Sequence, residues 1–542
     1  MADRGALHKF VAIDRPPKET TVESYDYVVV GAGSAGCAAA GRLSELSGAR
    51  VAVVEAGPPA AGRLFEIPTL FSQQLKSAFD WDYQTEPEPE LGGRRTNLPR
   101  GRAVGGTSSM NTMAYVRGNH WDYDNWAALG NEGWSYDEVL PFFKRSEDNQ
   151  RGADDYHAVG GPLTVSDARS VHPLLEAWID AGVEIGHRRN PDFNGVDQEG
   201  IGLFQTTQRD GLRCSSAVAF VEPAGDSLTV LHSTLALRIR WEGDRAVALE
   251  VDHAGEVREI GIDGELIISS GAYNSPHLLL QSGVGDPEEL TAAGIAPVNS
   301  VPEVGKNLRD HVGCFLSFIS EVEPTIGTDT AAEEKLLREQ GEGPMAWCEA
   351  GAFLKSSEDI EVPDIQFHAA LGITRDEGLA APLEHGVSWG PYVARSTSLG
   401  SVQIRHPHPY AKPRIRHAYL SDPEERKLLR CGLRMGMEFA GQKAIAGQLE
   451  TDLEGSAELG LAPRDDSDAA LDEFINANSF SFYHPMGTCA MGHVVDARLR
   501  VDGLANVRVA DTSVMPAMPT GNLNAPTIMI GERVADFIKT GA

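Results

Sequence analysis

YDYVVVGAGSAGCAAAGRL, residues 25–43, decides the fold. The run Tyr27–Val30 is apolar and β-branched without polar alternation, the pattern of a buried strand. Gly31, Gly33 and Gly36 follow at once as G-x-G-x-x-G, and CAAAGRL continues as a helix of small residues. Glycines at these positions allow a tight turn, backbone approach to a pyrophosphate, and close packing of helix on strand. The helix start offers N–H groups and a positive dipole end to phosphates. A second strand, ARVAVVEAG, ends in Glu55, 24 residues after Gly31. That spacing is close to the ~20 residues expected of a ribose-hydroxyl acceptor. Strand, turn, helix, strand and acid in this order predict an adenine-dinucleotide site. The acid disfavours NADP, whose 2′-phosphate it would repel, and leaves NAD and FAD open.

Working outward, the chain has 542 residues, more than one compact core accommodates, so two domains or one large composite domain is expected. Acidic residues exceed basic ones, 78 against 47, for a formal charge of −31. That argues against nucleic acid and anionic membrane as partners. Six scattered cysteines without a C-x-x-C pair disfavour a zinc ribbon or redox dithiol and suit a reducing compartment. The first 26 residues are polar with no apolar signal core, and no run approaches 18 uninterrupted apolar residues. A cytoplasmic protein is the expectation, its oligomeric state open.

Two further blocks narrow the dinucleotide. GRAVGGTSSMNTMAYVRG, residues 101–118, is a glycine- and hydroxyl-rich loop able to lie flat on a ligand; its interleaved Val104, Met110, Met113, Ala114 and Tyr115 require burial. GAYNSPHLLLQSGVG, residues 271–285, follows the apolar strand ELIISS. Ser275-Pro276 is expected to start its helix and SGVG to close it. VPEVGKNLRDH ends at His311, SFYHPMGTCAMG spans 481–492, and NVRVADTSVMPAMPTGNLNAPTIMIGERVADFI begins at Asn506. These blocks, in this order over residues 25–538, resemble the signature segments of the glucose–methanol–choline oxidoreductases, closest to the choline dehydrogenase and hydroxymethylfurfural oxidase-like branch.

The resemblance implies an α/β fold: a discontinuous Rossmann-type FAD-binding domain (residues 1–160, 206–312 and 488–542) and an α+β substrate-binding domain on an antiparallel sheet (161–205 and 313–487). It implies FAD, with contacts from Gly31, Gly33, Ser34, Ala35, Gly36, Glu55 and Ala56 at the nucleotide end. Arg102, Val104, Gly106, Thr107, Asn111, Met113, Ala114 and Leu237 continue the cofactor wall. Tyr483, Asn524 and Thr527 are expected near the flavin ring, and Asp511 at the phosphate–ribitol region. Some relatives carry a histidine, covalently joined to the flavin, in the slot before Asn111. Here the slot is Met110, so a non-covalent flavin is expected. Within the proposed substrate part, 400–420 reads as strand pieces broken by prolines, and 422–441 as a helix with Leu428, Leu429, Leu433, Met437 and Phe439 mostly on one side. The acidic segment 324–344 reads as a solvated helix, with a lid over the entrance as the alternative.

Oxidising an alcohol requires loss of a hydroxyl proton as a hydride leaves carbon, and histidine suits the first task. By resemblance the base falls on His484, Phe482 and Tyr483 wall the substrate pocket, and the partner falls on Asn522. An amide there orients the alcohol oxygen instead of serving as a second base. The implied activity is oxidation of a primary alcohol, with an aldehyde hydrate as a further candidate and oxygen or another electron acceptor as co-substrate. A hydroxynitrile lyase on the same scaffold is the alternative, and a light-driven decarboxylase ranks below it. The segment taken alone also admits a metal ligand, a Cys–His nucleophilic pair with Cys489, or a core histidine. His406 and His408 read as a rigid Pro-rich loop, His311 as structural, and Cys489 as a small buried hydrophobe. No carboxylate is assigned as a cation anchor from sequence.

Overall fold

The computed structural model describes residues 23–320, 322, 325, 329–379 and 385–541. The polar N-terminal residues 1–22, and residues 324 and 326–328 of the acidic segment, lie outside them. Strand β1 (Ser24–Val30) runs into helix α1 (Ser34–Leu43), and β2 (Val51–Val54) lies parallel beside β1, with Glu55 directly after it. The turn between them is glycine by necessity. Gly31 sits at φ 97°, and a Cβ on it would lie 2.6 Å from the carbonyl oxygen of Ser269. A Cβ on Gly36 would lie 1.9 Å from the oxygen of Gly31, so only glycine lets α1 start this close to its strand.

The long strand β3 (Glu256–Ile268) pairs parallel with β1 on one side and with Val507–Val509 on the other. Thr229–Leu231 adds a parallel edge beside β2, and the antiparallel strands Thr234–Glu242 and Arg245–His253 complete a seven-stranded sheet. Val28, Val29, Ala52, Val53, Leu266 and Ile267 are all fully buried, as a parallel sheet covered on both faces requires. This is a Rossmann-type α/β arrangement. Helix α2 (Gly271–Gln281) follows β3 and differs from expectation: it starts four residues before Ser275, placing Pro276 inside it. A proline there removes the N–H that would bond the carbonyl of Ala272. The hydroxyl of Thr488 donates to that carbonyl instead, at 2.7 Å.

A second seven-stranded sheet is antiparallel. Strand β4 (Ile365–Leu371) lies in it between Ala350–Leu354 and Gly386–Val393, and the short strand β5 (Phe480–Ser481) sits at its end against Val312–Gly313. Helix Pro423–Ala440 backs this sheet. Its Leu429, Leu433 and Phe439 are buried as expected, whereas Leu428 and Met437 are only partly covered; Gly432 and Gly436 bring the helix against Pro391, Leu316 and Phe367 instead. The proline-broken segment forms a small hairpin of Ser401–Gln403 and Arg414–Arg416.

Each sheet has its own apolar core. The C-terminal helix α3 (Asn524–Thr540) closes the first core by packing on α1, where Gly531 lies against the backbone of Ala35 and the buried Glu532 receives Arg42 and Arg145. Of the acidic segment, Ala331–Gln340 is a helix with a capping box from Thr330 and Glu333. It is docked rather than simply solvated: Leu337 is buried beside Ile67 and Leu70, and Glu334 and Arg338 pair with Arg63 and Glu66. Among the described residues no helix is long and apolar enough to cross a membrane.

Candidate active site

A cavity of about 510 Å³ runs from the carboxyl ends of β1 and β2 to the face of the antiparallel sheet. Open α/β sheets bind ligands at that edge. Its first end is walled by Gly31, Gly33, Ser34, Ala35, Glu55 and Ala56, with Gly106, Thr107 and Leu237 opposite. Two glycine loops touch here: a Cβ on Gly106, at φ 53°, would lie 2.7 Å from the Cα of Gly33. Glu55 accepts the N–H of Ala32 at 3.0 Å and of Gly57 at 2.8 Å, and burial pushes its carboxyl up to about 7.

Met110, Asn111, Met113 and Ala114 form the middle wall, with Asp511, Asn524 and Thr527 facing them. The five apolar residues expected to be buried in the 101–118 loop are buried. Asn524 accepts a hydrogen bond from the Ser34 hydroxyl at 2.7 Å, joining α3 to the first turn of α1. The carboxylate of Asp511 is largely engaged by the protein: it accepts from Gly271 N–H (2.9 Å), the Ser275 hydroxyl (2.5 Å) and Ser513 N–H (2.8 Å). Behind this loop lies Arg213, buried with no carboxylate of the described residues against it. One of its nitrogens donates to the carbonyls of Ser108 and Asn111, while Nε and Nη2 find no partner among the described residues. Burial alone lowers the pKa of this guanidinium to about 9, so the loop is backed by an uncompensated positive group.

The far end is built of side chains. His484 follows β5 with its open edge on the cavity. Its Nε2 lies 3.3 Å from Nδ2 of Asn522, its Nδ1 2.9 Å from Nδ1 of His311, and its backbone N–H donates to Asp310 at 2.8 Å. Desolvation, then His311, His368 and Arg100, hold the His484 pKa well below the usual histidine range, so the ring is neutral. Its neighbour Tyr483 takes φ 68°, a region costly for a side chain of this size. That turn is held by Arg100 on the Tyr483 carbonyl (2.7 Å), Ser481 Oγ on its N–H (2.8 Å), and its own hydroxyl donating to the Glu377 carbonyl (2.9 Å). Phe482 packs with Tyr392 and Phe480, and both Phe482 and Tyr483 line the cavity.

Three expected contacts stand outside the cavity wall. Gly36 serves helix packing, Val104 is in the first core, and the guanidinium of Arg102 lies 5.4 Å from the ring centre of Trp81. Cys489 is fully buried with its thiol pKa pushed far up by desolvation, so it offers no thiolate. His406 accepts the N–H of His408 at 3.1 Å in a local turn. Among the described residues no cluster of three metal-ligating side chains occurs.

Sequence reading missed a second polar group on the same wall. His368 and Gln366 alternate on β4 and therefore share one face. Gln366 Nε2 donates to Asn522 Oδ1 at 3.1 Å, and Asn522 Nδ2 lies 3.4 Å from His368 Nε2. His368 Nδ1 lies 2.7 Å from Glu349, which also accepts from the Trp347 indole at 3.0 Å. Glu349, Trp347 and Phe71 line the cavity, so it does hold a carboxylate beside aromatic rings. The period-two pattern of DIQFHAAL was a usable signal for His368; nothing local marks Glu349.

A family model described as GMC oxidoreductase matches residues 25–313, and a second with the same description matches 396–531. An oxygen-dependent choline dehydrogenase of Brucella anthropi is 38% identical over 95% of both chains. Among solved structures, a pyridoxine 4-oxidase from Mesorbium loti is 30% identical with a TM-score of 0.86, covering 95% of this chain and 99% of its own. A formate oxidase of Aspergillus oryzae RIB40 shares the fold at a TM-score of 0.88 and 23% identity, covering 96% of this chain and 99% of its own.

Proposed function

This chain belongs to the GMC oxidoreductase family, and from that premise we propose that it oxidises a small primary alcohol to the carbonyl, with His484 taking the hydroxyl proton and Asn522 orienting the oxygen. The observation that carries the reading is the 3.3 Å approach of His484 Nε2 to Asn522 inside the cavity that the glycine loops open into. The residues present fit FAD. Gly31, Gly33 and Gly106 line the cavity with bare backbone, two of them where a Cβ would strike neighbouring main chain, and Glu55 stands at the end of β2. Gly31, Gly33, Ser34, Glu55, Thr107, Asn111, Asn524 and Thr527 would hold it, with Met110 making no covalent link. When bound, FAD supplies the acceptor for the hydride that leaves carbon.

The chain's own part is proton transfer and orientation. A ring kept neutral by burial has a free lone pair for the alcohol proton near neutral pH. The Asn522 amide is fixed by Gln366, so its NH₂ faces the place where the alcohol oxygen must sit to reach His484. Glu349 among aromatic rings makes a cationic alcohol, such as the choline named for the Brucella relative, the first substrate to try. Oxygen or another acceptor completes the cycle, and the division into a cofactor part and a substrate part rests on the two separate cores. A cytoplasmic location is in keeping with six free cysteines.

Anaerobic mixing with a panel of primary alcohols tests this. The flavin should bleach, and His484→Ala should slow bleaching by about 10²- to 10⁴-fold while FAD stays bound. Bleaching by the variant at the wild-type rate would remove His484 as the base. Cyanohydrin cleavage without bleaching would point to the lyase instead.

A further inference from the structure

His311 comes from the segment VGKNLRDH, which the proposed reaction leaves unused, yet it is the residue in closest contact with the ring of His484. We infer that His311 is a positioning residue that selects the tautomer of His484, accepting the Nδ1–H of that ring so that the lone pair lies on Nε2, toward Asn522 and the cavity. The inference rests on His484 being the base.

The argument is a proton count along three groups. His311 is fully buried and its Nε2 lies 2.9 Å from the carbonyl oxygen of Ala394. A carbonyl only accepts, so that Nε2 carries a hydrogen. Desolvation brings the ring's pKa down to about 3, so it carries no second proton and its Nδ1 has a lone pair. His484 Nδ1 is 2.9 Å away, and two ring nitrogens at that separation need one hydrogen between them. His484 must provide it. A neutral His484 with its hydrogen on Nδ1 has its lone pair on Nε2.

Contacts at the opposite edge agree without being used in that count. Asn522 Oδ1 receives Gln366 Nε2 at 3.1 Å, so it is the amide NH₂ that approaches His484 Nε2, and a donor there matches a lone pair. The Pro519 carbonyl is a further backbone acceptor for His311 and, being unable to donate, leaves the shared hydrogen to His484; the other polar neighbours are engaged elsewhere. Asp310 takes the backbone N–H of His484 rather than its ring, Arg100 is committed to the Tyr483 carbonyl, and His368 Nδ1 faces Glu349. Tyr392 stacks on His311 with centroids 4.6 Å apart and 27° between planes, which fixes the ring angle. The selection matters because a histidine ring in water prefers its hydrogen on Nε2, the nitrogen that must be bare here.

The test compares His311→Leu with His311→Asn in the FAD-loaded enzyme. Leucine removes the acceptor; asparagine places an oxygen near the former Nδ1. Anaerobic bleaching should slow about 100-fold in His311→Leu, with alcohol affinity and FAD content nearly unchanged, and His311→Asn should recover at least about tenfold of the loss. Nitrogen-15 shifts of His484 should report hydrogen on Nδ1 in the wild type. Wild-type bleaching by His311→Leu, equal losses in both variants, or hydrogen on Nε2 in the wild-type spectrum would each overturn the inference. The spectrum decides alone if the leucine variant does not fold. His484→Ala separates the two readings: wild-type bleaching there removes the base, whereas its loss together with a fully active His311→Leu removes only the tautomer role.

Discussion

At the nucleotide end of the cavity the walls are backbone; at the catalytic end they are side chains. Gly106 comes within van der Waals range of Gly33, and Gly31 within range of the Ser269 backbone, because neither Gly31 nor Gly106 has a Cβ. His484, Asn522, His368, Gln366, Glu349 and His311 form the other, drawn from segments as far apart as 311 and 522 and linked by hydrogen bonds of 2.7–3.4 Å. A backbone surface tolerates no added volume, while a side-chain network tolerates volume and fails by losing a proton or a partner.

The largest effect expected from that contrast is at Gly36. Gly36→Ala puts a methyl 1.9 Å from a backbone oxygen, and no side chain can move aside. FAD should be lost and stability should fall by at least about 3 kcal/mol, read from the flavin-to-protein absorbance ratio and the thermal midpoint. Full flavin occupancy would mean that α1 is not held this tightly.

The catalytic end, together with buried histidines elsewhere in the interior, should instead break by protonation. His277 and His417 are buried with pKa values lowered to about 4 and about 3, His311 likewise to about 3, and His484 well below the ordinary value. Each binds its proton more weakly folded than unfolded, so its stabilising contribution is complete above about pH 6.5 and falls as pH drops toward the folded value, by up to about 1.4 kcal/mol per pH unit for each ring. His157 has the opposite sign: held to about 9 by Asp192 and Glu147, its contribution is complete below about 6.5 and is lost as pH rises through 9. The denaturant midpoint should therefore decline steadily from pH 6.5 to 4.5. A flat profile would show that these rings protonate without unfolding cost.

The smallest effect is expected where the two constructions meet. Thr488→Val keeps the shape and removes the hydroxyl that serves the Ala272 carbonyl beside Pro276. A loss of about 1–2 kcal/mol in urea is expected, with FAD still bound. No measurable loss would indicate that water serves the carbonyl equally well.

What the sequence determined by itself is the part whose physics is local. A glycine spacing that follows a strand and precedes a helix already fixes a turn, a close approach and a dipole, so β1, α1, β2 and Glu55 were readable from some thirty residues. The family blocks added His484, Asn522 and Met110 at the cavity. Tertiary structure alone decided the rest. Pro276 sits inside α2 only because Thr488, some two hundred residues on, supplies its missing bond. Arg102 and Val104, adjacent to cavity residues in sequence, turn toward Trp81 and the first core because side-chain direction depends on the path of the loop. His368 joins the site from β4 and brings Glu349, which precedes the adjoining strand Ala350–Leu354, with it, and His311 reaches the ring of His484 because folding leaves 2.9 Å between two nitrogens that lie 173 positions apart in the chain. A hydrogen-bond network among remote segments is a property of distances, and such distances exist only after the chain has folded.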